Sequence, residues 1–356
     1  MSLPQTTRTV AIRQPFKGDS FDTLVFEDRP LAQPKANEVV VRVKAVSLNA
    51  RDCQIASGTY PGLKDFQDGL VAGSDAAGDV VAVGESVKAW KVDDRVSPIF
   101  SQGHWAGDYK DQQPTALGGG IDGVLTEYFV VNENDVVKIP DHLTYAQACT
   151  SVITGVTSWH CLFGHPGQVL TAGQTVLILG TGGVSIYSAQ LALANGAEVI
   201  VTSSSDEKLA RIQKEVGSAI KTINYGKIEK WDEEVLRLTG GRGVDHVIEI
   251  AGGATLPKSV RSTKRGGNIW VVGYLSDLAG QDTSEMAKLG VEILIKEVGV
   301  RGVIVGSREH YEDLNRCVEL NKIVPIVDKV LPFDQVKEAY KASNKGAFGK
   351  VVISLE

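Results

Sequence analysis

Cysteine is scarce in this sequence, and its spacing matches no metal-binding finger. The four cysteines, Cys53, Cys149, Cys161 and Cys317, include no CxxC pair, and no histidine follows them at the spacing of a zinc finger. This pattern is typical of reduced thiols, most of them buried as small apolar groups. The cysteines therefore give no reason to expect a metal centre.

Long apolar runs and an excess of basic charge are also missing. No uninterrupted apolar stretch reaches the roughly 18 residues of a transmembrane helix, and the first ten residues lack the apolar segment of a signal peptide. The formal net charge is −6, and no basic stripe is present. We therefore expect a cytoplasmic protein that binds neither nucleic acid nor membrane, and 356 residues are enough for two domains.

A glycine-rich turn between two apolar runs is the most informative feature that is present. A predicted strand, 175–179, leads into the turn, and a helix to about Ala194 and a second strand, 198–202, follow. Strand, turn, helix and strand within about thirty residues are typical of a dinucleotide-binding unit. Ser185 stands where a third glycine is usual. The predicted contacts of the coenzyme pyrophosphate are Gly180, Thr181, Gly182, Gly183 and Val184.

The end of the second strand indicates which coenzyme is bound. A site for NAD usually has Asp or Glu there, which accepts from the ribose 2′-OH, but this strand ends in Ser203 and Ser204, with Lys208 one helical turn further on. Hydroxyls donate to a 2′-phosphate and a lysine neutralises it, so we predict NADPH as the coenzyme. In the alternative, Ser205 or Asp206 caps a helix and the lysine is solvated.

Strands and helices alternate in the middle of the chain, which predicts an α/β fold with a doubly wound parallel sheet. Ligands of such sheets bind beyond the carboxyl ends of the strands. Two further strand ends are therefore predicted to contact the coenzyme, although ordinary turns are the alternative. Their residues are Ala251, Gly252, Gly273, Tyr274 and Leu275. The apolar run 291–300 reads as another strand, and the turn-rich segment 100–123 as a mobile lid or a surface loop.

With these pieces in order, the sequence resembles the medium-chain dehydrogenase/reductase superfamily over nearly its whole length. The segments 41–61 and 71–87, the GTGGVS turn and the final GKVVI carry the resemblance. It implies a GroES-like β-barrel domain, 1–135 with 310–356, a Rossmann domain, 136–309, and a cleft between them. It also implies a homodimer in which the strand near 291–303 extends the sheet.

The departures from the zinc-dependent members of this superfamily are as informative as the matches. The positions of their catalytic zinc ligands fall on Asn49, Ser74 and Ile153, with Asp75 as a single weak ligand. One carboxylate is far from the three protein ligands that a catalytic zinc needs. The region that matches their structural zinc lobe, 98–123, has no cysteine. We expect no zinc.

The sequence instead resembles the zinc-free branch, which contains quinone reductases, enone reductases and zeta-crystallin-like proteins. SLNARD, 47–52, and SGTYP, 57–61, carry this likeness. It implies that Thr157 lies beside the nicotinamide, Tyr225 beside the adenosine and Lys345 near the 2′-phosphate. Gln54 stands where some quinone reductases have tyrosine, which leaves a preference for quinones open.

A conjugated acceptor fits a site without a metal, because an enone or a quinone delocalises the charge that hydride brings. Asn49 is the candidate to hold the acceptor oxygen or the nicotinamide, and Tyr60 to complete the pocket or deliver a proton. The structural alternatives are a helix cap and a packed aromatic ring. We predict an NADPH-dependent reductase of small-molecule α,β-unsaturated carbonyls or quinones. Two alternatives remain: a zinc-free alcohol dehydrogenase or carbonyl reductase, and a crystallin-like or RNA-binding protein with bound NADPH.

Overall fold

The computed structural model describes residues 3–16, 18–61, 67–108, 115–274 and 284–356. The chain divides into two compact units. Unit 1 contains Met1–Val156 and Val305–Glu356, and unit 2 contains Thr157–Ile304. Leu275 and the middle of the segment 100–123 lie outside the described residues.

Unit 1 contains two β-sheets and four α-helices within the described ranges. One sheet has the order β2-β1-β4, and the other has the order β15-β16-β3-β5-β6-β8, with β7 also paired to β3. The strands are β1 (Thr6–Ile12), β2 (Leu24–Pro30), β3 (Glu38–Ser47), β4 (Leu70–Val71), β5 (Asp75–Val83), β6 (Arg95–Pro98), β7 (Tyr128–Asn132), β8 (Val136–Lys138), β15 (Val327–Pro332) and β16 (Lys350–Ser354). The helices are α1 (Ala50–Ser57), α2 (Tyr145–Ala148), α9 (Arg308–Asn321) and α10 (Val336–Asn344).

Valines of the central strand β3 pack in two hydrophobic clusters, although Arg42 on the same strand is exposed. Val43 and Val46 pack in a large cluster with residues of β1, α1 and α10. Val39 and Val41 pack in a smaller cluster on the other part of the sheet. Valine is favoured in such a strand because its branched side chain packs well against neighbouring strands.

Unit 2 is a doubly wound parallel sheet in the order β11-β10-β9-β12-β13-β14. Its strands are β9 (Thr175–Leu179), β10 (Glu198–Ser203), β11 (Lys221–Asn224), β12 (Val244–Glu249), β13 (Thr263–Val271) and β14 (Gly299–Gly302). Its helices are α4 (Gly183–Ala194), α5 (Asp206–Glu215), α6 (Trp231–Leu238), α7 (Leu256–Ser262) and α8 (Ser284–Lys296), and α3 (Thr154–Phe163) begins at the unit boundary. Numbered from β9, this is the order 3-2-1-4-5-6 of dinucleotide-binding sheets. The predicted α/β fold class is confirmed.

The predicted strand at 291–300 is wrong over most of its length, because residues up to Lys296 belong to helix α8. The β-branched residues of this run favour a strand, but Leu289 and Ile293, four positions apart, pack together on the unit 2 core. Lys296 at the end of the helix also donates from Nζ to the carbonyl oxygens of Val260, Arg261 and Thr263. Only β14 remains as a strand.

The boundary between the units differs from the predicted one. Residues 136–156 were assigned to the coenzyme domain from the sequence, but they lie in unit 1. There β8 pairs with β6 in the larger sheet, and Ser47 of β3 donates from Oγ to the carbonyl oxygen of Cys149. At the other end, residues 305–309 also belong to unit 1. In the described ranges no helix has the length and apolar character needed to cross a bilayer.

Candidate functional site

The glycine turn of unit 2 lies where the strand order of the sheet reverses. Strand β9 has β10 on one side and β12 on the other, so the turn after Leu179 is at the switch point where open parallel sheets bind ligands. Gly180 has φ +73°, a conformation that favours glycine. Gly182 precedes α4, and an added Cβ at Gly182 would meet no described protein atom within 4 Å. The turn, from Gly180 through Thr181 and Gly183 to Val184, therefore joins β9 to the start of α4 as predicted.

Ser185 replaces the third glycine of the motif without loss of packing. It is fully buried, and its Oγ donates to the carbonyl oxygen of Leu179 at 2.7 Å. The hydroxyl thus satisfies a carbonyl at the end of β9 and ties the first turn of α4 to that strand. Serine fits this position because it is small enough to be buried here and its hydroxyl has a hydrogen-bond acceptor within reach.

The serines at the end of β10 fit both interpretations of this segment, the phosphate site and the helix cap. Ser203 is buried, and its Oγ accepts from the backbone N–H of Ser205, so this hydroxyl helps to form the turn. Ser205 is the N-cap of α5 and accepts from the N–H of Lys208. Ser204 is exposed and Lys208 is partly exposed. Ser204 and Lys208 are therefore accessible to a ligand, whereas Ser203 acts mainly on the backbone.

The end of β11 lies directly against the end of β10. The N–H of Tyr225 donates to the carbonyl oxygen of Ser203 at 3.1 Å, and the Tyr225 side chain is 45% exposed. Asn224 donates from Nδ2 to Asp206 at 2.7 Å, and Lys227 forms an ion pair with the same carboxylate. Asn224 and Lys227 were missed in the sequence because they flank the aromatic position in an ordinary polar segment.

The glycines after β12 and β13 are required by the close approach of two backbones. Gly252 has φ +85°, and a Cβ there would lie 3.1 Å from Cα of Tyr274. A Cβ at Gly273 would lie 2.3 Å from the carbonyl oxygen of Ile250. The two strand ends thus pack on each other, which explains these glycines without a flat ring beside them. Tyr274 is about half exposed at this edge.

Glu249 is a buried carboxylate that sequence reasoning missed. Its Oε1 accepts from the N–H groups of Ala251 and Gly252 and from Oγ1 of Thr255, and its Oε2 accepts from Oγ of Ser259. The side chain is fully buried, so these four donors replace water around the charge. The amides of Ala251 and Gly252 therefore point at Glu249 rather than at a coenzyme. A carboxylate ending an apolar strand, just before a Gly-Gly turn, was the available signal.

The remaining predicted coenzyme contacts are distributed over both units. Thr157 is buried in α3, in unit 2. Lys345 is exposed at the C-terminal end of α10, in unit 1. Leu275 is not described. The predicted roles of Thr157 and Lys345 remain predictions.

Asn49 lies at the N-terminus of α1, inside a buried polar cluster of unit 1. Its backbone N–H donates to Oδ2 of Asp52 at 2.7 Å. Its side-chain amide donates to Oδ2 of Asp75 at 2.9 Å and to Asp52 at 3.3 Å, and its Oδ1 accepts from Nζ of Lys350 at 2.7 Å. The amide hydrogens of Asn49 are thus used within the protein. This arrangement favours the helix-cap alternative over a contact with the acceptor oxygen.

Lys350 supplies a buried positive charge beside Asp75 in this cluster. Its Nζ donates to the carbonyl oxygen of Leu48 at 2.6 Å and lies 3.4 Å from Oδ2 of Asp75. Asp75 is fully buried, and burial raises the pKa of its carboxyl to about 6, whereas the charge of Lys350 acts to lower it. Oδ1 of Asp75 has no hydrogen-bond partner in the described part of the chain. Lys350 was missed in the sequence, where it appears only as the first residue of a valine-rich strand.

Arg51 connects the cluster to Tyr60. Its guanidinium donates to Oγ of Ser74 and to the carbonyl oxygen of Leu117, and its Cζ lies 5.5 Å from the ring centre of Tyr60 and 4.9 Å from that of Phe100. Tyr60 is partly buried and packs against the unit 1 core. Arg51 thus holds one face of the Tyr60 ring by a cation–π contact.

The residues at the zinc-ligand positions do not fit zinc. Ser74 donates to Asp52 at 2.6 Å, Ile153 is a buried hydrocarbon, and Oδ2 of Asp75 already accepts from Ser47, Asn49 and Lys350. The described ranges contain no group of three His, Cys, Asp or Glu side chains that could hold a metal. A buried ammonium group beside Asp75 would also repel a divalent cation.

The segment 100–123 is anchored at its described start. Trp105 donates from Nε1 to Oδ1 of Asp135 at 2.8 Å. The first two amides of α9, those of Arg308 and Glu309, donate to the carbonyl oxygens of His104 and Trp105. Because helix starts leave such amides without partners, this contact fixes the loop against α9. Residues 109–114 lie outside the description.

The fold is that of an oxidoreductase, and comparisons with known proteins show the same class. Residues 35–141 match the family described as the alcohol dehydrogenase GroES-like domain, and residues 183–319 match the family described as zinc-binding dehydrogenase. The protein belongs to the medium-chain dehydrogenase/reductase superfamily, in its quinone oxidoreductase-like branch.

Some similar proteins are described as alcohol dehydrogenases and others as quinone oxidoreductases. A zinc-type alcohol dehydrogenase-like protein of Schizosaccharomyces pombe is 39% identical over 344 residues, 94% of this chain and 96% of that protein. The quinone oxidoreductase of Homo sapiens is 27% identical and covers 90% of each chain. The crystal structure of a protein from Sinorhizobium meliloti 1021, described as an alcohol dehydrogenase, superposes with a TM-score of 0.87 at 36% identity, over 99% of this chain and 100% of that one.

Proposed function

We propose that this protein is a zinc-independent, NADPH-dependent reductase of conjugated acceptors, either α,β-unsaturated carbonyls or quinones. The observation that carries the proposal is the buried Lys350 ammonium, which donates to Asn49, at one of the positions that match the zinc ligands, and lies beside Asp75, which follows another. Asn49 is thus bonded to an ammonium group of the protein itself. This supports a reaction that needs no Lewis acid.

The acceptor class follows from the charge that the reaction creates. Reduction of an isolated carbonyl places a full negative charge on one oxygen, which metal sites stabilise directly. An enone or a quinone spreads this charge, so one hydrogen-bond donor and good positioning are enough. Since the amide of Asn49 is engaged inside the cluster, we assign the donor role to Tyr60, whose ring is held by Arg51.

The coenzyme assignment depends on unit 2. When bound, a reduced nicotinamide coenzyme supplies the hydride. The chain's own contribution is to hold the pyrophosphate at the start of α4 and to select the phosphorylated ribose. The exposed Ser204, the partly exposed Lys208 and the absence of a carboxylate on β10 beyond Glu198 support NADPH.

Steady-state assays with three acceptors test the proposal. An enone, its saturated ketone and a quinone are compared with NADPH and NADH, and the metal content of the purified protein is measured beside them. We expect turnover of the enone or the quinone with NADPH and far less than one zinc per chain. Turnover of the saturated ketone alone would favour the alternative of an alcohol dehydrogenase, which is how two relatives are described. One zinc per chain would contradict the proposal.

We also propose that two copies of the chain associate through β14. Among the described residues this strand pairs only with β13 and has one open edge. Val300 on the strand is exposed, as are Val291, Leu294 and Ile295 on the preceding helix α8. A second copy would pair with the open edge and cover these apolar side chains.

A further inference from the structure

Asp206 places a carboxylate next to the strand end that we assign to the 2′-phosphate. It is the first residue of α5, one position after the N-cap Ser205 and two after the exposed Ser204. A carboxylate close to this strand end is what a site for the unphosphorylated ribose uses, because it accepts from the 2′-OH and repels a phosphate. An NADPH site with Asp206 in this place therefore needs to remove the effect of its charge.

Two residues at and just after the end of β11 bind the Asp206 carboxylate, one at each oxygen. Asn224 donates from Nδ2 to Oδ1 at 2.7 Å, and Nζ of Lys227 lies 2.5 Å from Oδ2. These two partners lower the pKa of the Asp206 carboxyl, Lys227 being the larger cause. The carboxylate thus stays ionised and is paired with an ammonium group.

The turn that carries Lys227 is fixed to the end of β10. Tyr225 donates from its N–H to the carbonyl oxygen of Ser203, and the N–H groups of Gly226 and Lys227 both donate to Asn224. A Cβ added at Gly226 would lie 3.7 Å from the carbonyl oxygen of Ser204. The position of Lys227 therefore follows from backbone contacts and does not depend on its ion pair alone.

We propose that Lys227 is a specificity-determining residue: by neutralising Asp206, it keeps the end of β10 open to a 2′-phosphate. The inference rests on the proposed function, since it concerns how NADPH is selected. Lys227 acts through Asp206 and is a positioning and charge-balancing residue. Without it, Asp206 repels the phosphorylated coenzyme and remains available to the 2′-OH of NADH.

A matched pair of residues at the opposite end of the same two strands provides the control. Lys221 at the start of β11 forms an ion pair with Glu198 at the start of β10, at 2.9 Å. This pair joins the same strands with the same charges, but it lies at the amino ends of the strands, away from the proposed coenzyme edge. Lys221→Gln removes a lysine and exposes a carboxylate without touching that edge.

The test measures dissociation constants of NADPH and NADH by coenzyme fluorescence for the wild type and four variants. The variants are Lys227→Gln, Asp206→Asn, the double variant with both changes, and Lys221→Gln. Because Lys227 and Asp206 are 68% and 61% exposed, solvent screens the interaction, and we expect Lys227→Gln to weaken NADPH binding about five- to tenfold. We expect less than about a twofold change for NADH, whose ribose carries no phosphate.

The double variant distinguishes neutralisation of Asp206 from direct binding of the coenzyme phosphate by Lys227. If Lys227 acts by neutralising Asp206, Asp206→Asn in the Lys227→Gln background restores NADPH binding to within about twofold of the wild type. The effect of Lys227→Gln should also shrink at high salt, and Lys221→Gln should bind both coenzymes like the wild type. A double variant as weak as Lys227→Gln, or equal losses for NADPH and NADH, would overturn the inference. A wild type that prefers NADH would instead overturn the proposed coenzyme.

Discussion

Nζ of Lys350 lies 2.7 Å from Oδ1 of Asn49, although the two residues are 301 positions apart in the chain. The same ammonium group lies 3.4 Å from the buried carboxylate of Asp75. Lys350 on β16 thus holds the Asn49 side chain at the start of α1 and balances the charge of Asp75 at the start of β5. Lys350 is therefore the cation that pairs with Asp75 in the polar cluster of unit 1.

Removal of either member of the buried ion pair is expected to destabilise the protein. Lys350→Met leaves Asp75 buried without a cation, and Asp75→Asn leaves the ammonium without its carboxylate, so each should cost about 3–5 kcal/mol of unfolding free energy. The variant with both changes should lose clearly less than the sum. Urea denaturation of the four proteins gives the coupling energy. Losses that simply add would show that the pair is not a unit.

Glu249 is expected to stabilise the turn between β12 and α7. Glu249→Ala leaves the buried amides of Ala251 and Gly252 without acceptors, and we expect a loss of about 3 kcal/mol in unfolding free energy. The measurement is chemical denaturation, followed by fluorescence. The exposed Glu198 serves as control, since Glu198→Ala should change stability by less than about 0.5 kcal/mol. A wild-type-like Glu249→Ala variant would refute the role of this carboxylate.

His246 is expected to make stability depend on pH. Its Nδ1 accepts from Nε1 of Trp270, so its proton is on Nε2, next to Oε1 of Gln174. Burial lowers its pKa from 6.5 to about 4. Between these values the unfolded chain binds a proton that the folded protein does not, so unfolding free energy falls as pH falls from about 6.5 to about 4.

Comparison with His246→Asn measures this contribution. Asparagine keeps an acceptor for Trp270 but does not titrate. Between pH 7.5 and 5 the wild type should lose about 2 kcal/mol more stability than the variant. Denaturation curves at both pH values provide the difference. Equal losses in the two proteins would contradict a depressed pKa for His246.

The proposed association through β14 predicts that charge on α8 separates the copies. Leu294 is 76% exposed, and Leu294→Glu combined with Ile295→Glu should give a monomer, because carboxylates in an apolar interface cost free energy. Sedimentation velocity measures the mass. Leu320 on α9 in unit 1 is 83% exposed and provides the control, since Leu320→Glu should leave the association unchanged. A wild type that sediments as a monomer would exclude the proposal.

The sequence predicted those parts of the fold that depend on local patterns. Strands β9 and β10, the glycine turn and helix α4 follow from apolar periodicity and glycine positions, and the structure confirms them. Helix α8 was misread because its β-branched residues favour a strand, whereas packing of Leu289 and Ile293 decided for a helix. Propensity is a weak signal where tertiary contacts oppose it.

The candidate site was harder to predict because its key partners are distant in sequence. Asn49, Ser74 and Asp75 were identified, but Lys350 joins them from the last strand and has no local motif. Glu249 was missed for a different reason, since its partners are mostly backbone amides and hydroxyls that any sequence offers. Lys227 was missed because its ion pair with the first residue of α5 follows only from the register of β10 and β11.

The position of Lys350 on β16 has a consequence for synthesis of the chain on the ribosome. Asp75 emerges long before the lysine that balances it, so the first strands of unit 1 cannot bury that carboxylate as an ion pair until β16 has been made. The strands and helices of unit 2, by contrast, are continuous in sequence and complete much earlier. We therefore expect the parallel sheet to form first during translation, and the core around β3 to close only after β16 has emerged.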